Sequence, residues 1–148
     1  MKRIAFVCLG NICRSPMAEF VFCEKVKALG RAGEFEVASF ATSDEEDGNP
    51  VYPPVFRLLT ALGIDCSRKR ATPLSSRDGG NFDLFVCMDE SNLRNARRIL
   101  GRENADKCVK LKSYLGSSAD VADPWYTRDF EGCYREISEA LDAMIATL

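Results

Sequence analysis

The sequence predicts an α/β fold, three layers (αβα) around a central four-stranded parallel sheet. Three observations lead there. Short apolar runs, Ile4 to Val7 and Phe82 to Cys87, have the form of strands covered on both faces. Stretches with apolar residues at helical spacing separate the strand-like segments, and Gly or Pro marks most of the changeovers. Strands that alternate with helices call for right-handed crossovers, and therefore for parallel strands.

Ile4, Ala5, Phe6 and Val7 form the first strand, and V-C-L-G-N-I-C-R-S-P-M, Val7 to Met17, follows as a strand-to-helix turn. Ser15 is expected as the N-cap and Pro16 as the first helical residue. Phe20, Val21, Cys23, Val26 and Leu29 carry that helix to about Leu29, where Gly30 ends it. Phe35, Val37, Ser39 and Ala41 alternate with Glu36, Ala38, Phe40 and Thr42, a second strand with both faces partly covered. The acidic turn-forming run from Ser43 to Pro50 is expected to be a solvated loop. Pro53 and Pro54 open a helix carrying Val55, Leu58, Leu59 and Leu62 that Gly63 closes. Arg68 to Gly80 is polar and irregular. Phe82 to Cys87 supplies the second central strand, and Asp89 stands at the N-cap region of a helix through Leu93, Ala96 and Leu100. Val109, Leu111 and Tyr114 suggest a further buried segment, and Asp123-Pro124-Trp125-Tyr126 a turn. Phe130, Tyr134, Ile137, Leu141, Met144, Ile145 and Leu148 recur at spacings of three and four, the stripe of a helix docked on the sheet. The expected shape is flavodoxin-like, a single domain over 1–148 with no internal repeat.

Composition narrows the function classes. A net charge of −2 argues against general nucleic-acid affinity, which needs a clustered positive face. No run of 18 apolar residues occurs, and the N-terminal apolar stretch is too short for a secretory signal, so no membrane association and a cytoplasmic location are expected. Seven cysteines, an odd number set mostly in apolar runs, fit small hydrophobes in a reducing compartment better than a disulfide framework. Histidine is absent altogether, which removes Ser-His-Asp and Cys-His catalysis and every histidine-based metal site. No metal or cofactor is expected.

The turn after the first strand carries the chemistry. Gly10 and Asn11 are the residue types that most readily adopt positive φ, and a loop bent that way turns successive backbone N–H groups into one concavity. A helix N-terminus adds partial positive charge, and Arg14 a fork of donors that matches two oxygens of a phosphate. Cys8, at the base of such a cradle, is placed to act as a thiolate nucleophile on the bound anion. Inorganic phosphate and other oxyanions are the expected ligands. The Cys-x5-Arg spacing alone is weak, since a chain with this many cysteines and arginines is expected to contain it somewhat less than once by chance. The preceding strand, the Gly-Asn pair and the following Ser-Pro strengthen it. Cys13, a second thiol in the same loop, can form a disulfide with Cys8 that shields the nucleophile from irreversible oxidation.

C-L-G-N-I-C-R-S-P at 8 to 16 resembles, residue for residue, the loop of the low-molecular-weight protein tyrosine phosphatases. C-M-D-E-S-N-L-R at 87 to 94 and D-P-W-Y at 123 to 126 resemble further parts of that family, so the resemblance runs the length of the chain and is weakest between 43 and 80. It implies the fold of that family and a metal-independent hydrolase of phosphotyrosine and aryl phosphates, acting on phosphotyrosine-containing proteins through a cysteinyl phosphate. It further implies Cys8 as nucleophile, Arg14 and the loop residues Leu9, Gly10, Asn11, Ile12 and Cys13 around the phosphate, and Asp123 as general acid and then base. Asn11 would pin the loop through hydrogen bonds with Ser39 as partner, and Ser15 would donate to the Cys8 sulfur. The family's aromatic cleft wall would fall near Glu45, its histidine after the second helix falls at Arg68, and Trp125 with Tyr126 would supply flat apolar surface at the cleft.

Two other activities compete with this one. A protein arginine phosphatase has a loop that resembles this one with threonine in place of Ile12. An arsenate reductase of the same fold needs two further cysteines after the strand that ends at Cys87, and Arg94 stands where the second is expected. A phosphate-binding module without catalysis would not need Cys8, Arg14 and Asp123 together.

Overall fold

The computed structural model describes residues 1–148. Four strands, β1 (Lys2–Cys8), β2 (Phe35–Ala41), β3 (Leu84–Cys87) and β4 (Cys108–Lys110), form one parallel sheet in the order β2-β1-β3-β4. The helices are α1 (Arg14–Ala28), α2 (Pro53–Ala61), α3 (Glu90–Leu100), the single turn α4 (Pro124–Thr127) and α5 (Phe130–Ile145).

Why β1 reads as an unbroken apolar run follows from its place in the middle. Ile4 and Phe6 point into a core shared with α1, α2 and α5, built on Met17, Phe22, Leu59, Ile137 and Leu141. Ala5 and Val7 point the other way, into a smaller core with Phe85, Cys87 and, from α3, Leu93, Ala96 and Leu100. Successive side chains of a strand face opposite sides, so both parities must be apolar when both faces are covered. In β3 the same rule sends Val86 to the first core and Phe85 and Cys87 to the second. Truncating a fully buried aromatic such as Phe6 would cost about 3–5 kcal/mol.

Several element ends differ from the sequence-based expectation. The segment through Val109 to Tyr114 is only a three-residue strand followed by a 3-10 turn, Leu111–Leu115. Asp123-Pro124-Trp125-Tyr126 is not an open turn but the start of α4, with Asp123 as its N-cap. The first helix begins at Arg14, not Pro16, and the residue at its N-cap position is Cys13, which makes no side-chain cap. Ser15 therefore lies inside the first turn, because its hydroxyl is used elsewhere.

The strand order reverses direction at β1, with β2 on one side and β3 on the other. In open parallel sheets the crevice beyond the carboxyl ends of the strands at such a point is where ligands bind. Cys8 ends β1 and Cys87 ends β3.

Candidate active site

The loop from Cys8 to Arg14 lines the floor of a cleft of about 160 Å³, with Ser43, Glu45 and Glu46 on one wall and Asp123, Trp125 and Tyr126 on another. Asn11 has φ +58, the left-handed region, whereas Gly10 does not. The positive φ expected at both is thus confined to Asn11. At Gly10 a Cβ would stand 3.4 Å from Glu46 Cγ, an ordinary contact, so the acidic loop lies against the cradle without requiring glycine there.

Three donors converge on the Cys8 sulfur. The N–H groups of Asn11 and Ser15 reach it at 3.3 and 3.4 Å, and Ser15 Oγ lies 2.9 Å away. Asn11 Nδ2 donates to Ser15 Oγ (2.7 Å) and to Ser39 Oγ (2.9 Å), so Ser15 receives one proton and has its own to give to sulfur. Asn11 Oδ1 accepts from the N–H of Thr72 at 3.0 Å. The chain runs on: Ser39 Oγ donates to Glu19 Oε1 at 2.5 Å, and Lys69 Nζ donates to the carbonyl of Ser39 at 2.9 Å and lies 3.6 Å from Glu19. Burial holds Lys69 below the usual lysine range, and the neighbouring Glu19 and Cys8 work against that shift. Asn11, Ser15 and Ser39 are all essentially buried, and every side-chain polar atom of the three has a partner.

Other donors of the loop are unmet. The backbone N–H groups of Leu9, Gly10, Ile12, Cys13 and Arg14 make no hydrogen bond within the protein, and all five residues border the cleft. An uncapped helix start with free N–H groups is a site for an anion. Arg14 stands beside it, 3% exposed, with Nη1 donating to Asp89 Oδ2 and to the carbonyl of Val121, each at 2.8 Å, and Nη2 3.5 Å from Asp123 Oδ2. Burial works against its charge, but Cys8, Asp89 and Asp123 outweigh it and hold the guanidinium firmly protonated. The fork is thereby aimed before any ligand arrives. Burial, with Cys8 and Asp123 nearby, pushes the Cys13 thiol well above its ordinary value, and burial pushes Cys133 up to about 12.

Each residue singled out from the sequence lies in or against this cleft, Ser15 and Ser39 from beneath it. What sequence reading missed is the outer support, beyond the Asn11, Ser15 and Ser39 contacts that the resemblance implies. Asp89 caps α3 through Oδ1, which accepts from the N–H of Asn92 at 2.8 Å, but its other oxygen holds Arg14. Glu19 sits one helical turn after Ser15, a spacing that could have flagged it. Lys69, from the irregular segment, faces Glu19, although its neighbour Arg68 is the position at which the family's histidine falls by ungapped counting. Glu46 also lines the cleft, although from sequence only Glu45 of the acidic run is placed there and the rest reads as solvated loop.

Comparison with known proteins gives the family and the fold. The family described as low molecular weight phosphotyrosine protein phosphatase matches residues 3–148. The Bacillus subtilis low molecular weight protein-tyrosine-phosphatase YfkJ is 33% identical over 150 residues, covering 100% of this chain and 96% of that protein. The human low molecular weight phosphotyrosine protein phosphatase is 39% identical over 150 residues, covering 91% of this chain and 88% of its own length. The crystal structure of YfkJ superposes with a TM-score of 0.94 over 99% of this chain and 94% of that one, at 34% identity. That of the Streptococcus pyogenes enzyme SP-PTP does so with 0.89, over 100% and 93%, also at 34%.

Proposed function

The chain belongs to the low molecular weight phosphotyrosine protein phosphatase family, and on that premise we propose that it hydrolyses phosphotyrosine in proteins through a phosphocysteine formed at Cys8. The observation that carries the site assignment is the convergence of three donors on the Cys8 sulfur directly beneath five unmet backbone N–H groups and the prepaid guanidinium of Arg14. A phosphate monoester fits that cradle with its bridging oxygen toward the mouth.

Cys8 Sγ attacks phosphorus, the bond to the phenolic oxygen breaks, and that oxygen takes the proton of Asp123. Arg14 and the loop N–H groups meet the three equatorial oxygens of the phosphoryl group in transit, where their charge and spacing match best. Asp123 then takes a proton from water as the water oxygen attacks phosphorus, the S–P bond breaks, and phosphate leaves with the thiolate restored. Ser15 and the asparagine behind it serve the sulfur as it departs. Asn11, Ser39 and Ser15 hold the loop and do not touch substrate.

Selectivity for the aromatic ester rests on depth. Ile12, Trp125 and Tyr126 offer apolar surface along the cleft, and a phosphoserine would have to draw its backbone inside to reach Cys8. A guanidinium brings donors that Ile12 cannot satisfy, which disfavours phosphoarginine; the Glu45 carboxylate on the cleft wall is the group that could receive them and reverse the preference. Residues 1–148 work as a single domain, and seven free thiols suit a reducing, cytoplasmic setting. Matched peptides carrying phosphotyrosine, phosphoserine or phosphoarginine, assayed with a chelator present, test the reading. The highest kcat/KM should fall to phosphotyrosine; a higher value for phosphoarginine would overturn the assignment of substrate.

A further inference from the structure

The turn that carries Asp123 is too short to hold itself. A single helical turn rarely survives alone, and α4 has four residues. Its internal bonds are those of Asp123 Oδ1 with the N–H of Trp125 (3.0 Å) and of Arg128 N–H with the carbonyl of Pro124 (2.9 Å), with the N–H groups of Tyr126 and Thr127 on the carbonyl of Asp123. It also ends at an unusual residue. Arg128 has φ +60, the left-handed conformation that non-glycine residues seldom adopt. Something outside the turn must favour that geometry.

The Arg128 side chain shows what does. It lies over the ring of Tyr52 at 5.4 Å and that of Phe130 at 5.1 Å, and Nη1 donates to Tyr52 Oη at 3.1 Å. The same Tyr52 ring packs on Trp125 with centroids 4.9 Å apart. Through its main chain, Tyr52 is tied to the other half of the site, its N–H donating to the carbonyl of Ile12 at 3.0 Å. Tyr52 therefore holds the phosphate-side loop with its backbone and both ends of the Asp123 turn with its side chain. It occupies the N-cap position of α2 without making a side-chain cap, so its hydroxyl is free for Arg128.

We propose that Tyr52 and Arg128 are positioning residues that fix the Asp123 carboxyl over the Cys8 loop. The inference rests on Asp123 being the proton donor, as set out above. Neither residue touches the phosphoryl group. Both lie at the surface side of the cleft, where Arg128 is exposed and Tyr52 half-buried, so their loss removes little of the core.

Leaving-group dependence tests it. The burst of phenol release is measured for a phosphotyrosine peptide and for an aryl phosphate whose phenol is acidic enough to leave unprotonated, in Tyr52→Leu, Arg128→Gly and Arg128→Lys, with Asp123→Asn alongside. Glycine keeps the left-handed turn and removes only the clamp, and lysine keeps the cation. Tyr52→Leu and Arg128→Gly should slow the peptide about ten-fold and the acidic aryl ester less than about two-fold, with inhibition by inorganic phosphate unchanged. Arg128→Lys should recover part of the rate. In the Asp123→Asn background, Tyr52→Leu should add nothing further. If Asp123→Asn shows leaving-group dependence and the clamp variants show none, or slow both substrates alike, the clamp is overturned while the acid stands. If Asp123→Asn itself slows both substrates alike, the acid assignment falls and the clamp with it.

Discussion

The floor of the cleft and its rim are built on different terms. Beneath Cys8, a chain of hydrogen bonds runs from the loop through the buried Ser15, Asn11 and Ser39 to the half-buried Glu19 of α1 and Lys69 of the segment before β3. Around Asp123, the support is one helical turn, a cation over two rings and an exposed tryptophan and tyrosine, 45% and 77% accessible. A buried network is costly to disturb, because each unpaired group keeps its desolvation penalty. A surface cluster yields more easily. The difference separates the part that holds a phosphoryl group in line with sulfur from the part that delivers the proton and meets the ester.

Substitutions should grade accordingly. Cys8→Ser should lower turnover more than about a thousand-fold while calorimetry still detects bound phosphate, because the cradle outlives its nucleophile. Arg14→Lys should lose binding as well as rate, since a point charge cannot bridge two oxygens and the pair with Asp89 is disturbed. Asn11→Ala strikes the floor's centre: it strands Ser39, the Thr72 N–H and Ser15, and it places a Cβ-only residue at positive φ. It should destabilise by about 2–4 kcal/mol in urea unfolding and reduce activity too. A fully active, fully stable Asn11→Ala would erase the distinction between floor and rim.

Gentler probes sharpen it. Iodoacetate at neutral pH should label Cys8 and spare Cys13, Cys87 and Cys133, whose thiols burial holds in the protonated form well above that pH. Peptide mapping would show the opposite if the cradle did not accept the reagent's carboxylate. At the rim, Glu45→Gln should leave hydrolysis of an aryl phosphate that carries no charge beyond its phosphate as before. It should change kcat/KM only a few-fold, and in a salt-dependent way, for peptides with basic residues near the phosphotyrosine.

The floor was legible in sequence because its residues cluster in one stretch whose spacing has a physical meaning: strand, Gly-Asn, arginine, helix start. The sheet was legible from apolar runs of both parities at β1 and β3. The outer support was not. Lys69 meets Glu19 only after a long irregular excursion, and Asp89 carries the pattern of a helix cap, which it is, while its second oxygen serves Arg14. The N-cap reading of Ser15 failed for a related reason, since a serine before proline looks like a cap, whereas its hydroxyl serves the Cys8 sulfur, as the resemblance implies. Tyr52 gave no signal at all, because its role depends on two loops meeting.

The central claim is that the phosphoryl group passes through the Cys8 sulfur. Rapid mixing of excess phosphotyrosine peptide with the protein, followed by a quench within the burst and mass spectrometry of the proteolytic fragments, tests it most directly. The phosphoryl mass should appear on the peptide containing Cys8, decay as free phosphate forms, and be absent from Cys8→Ser. A burst of tyrosine release with no phosphoryl group on that peptide, or with the group on Cys13 instead, would contradict the account.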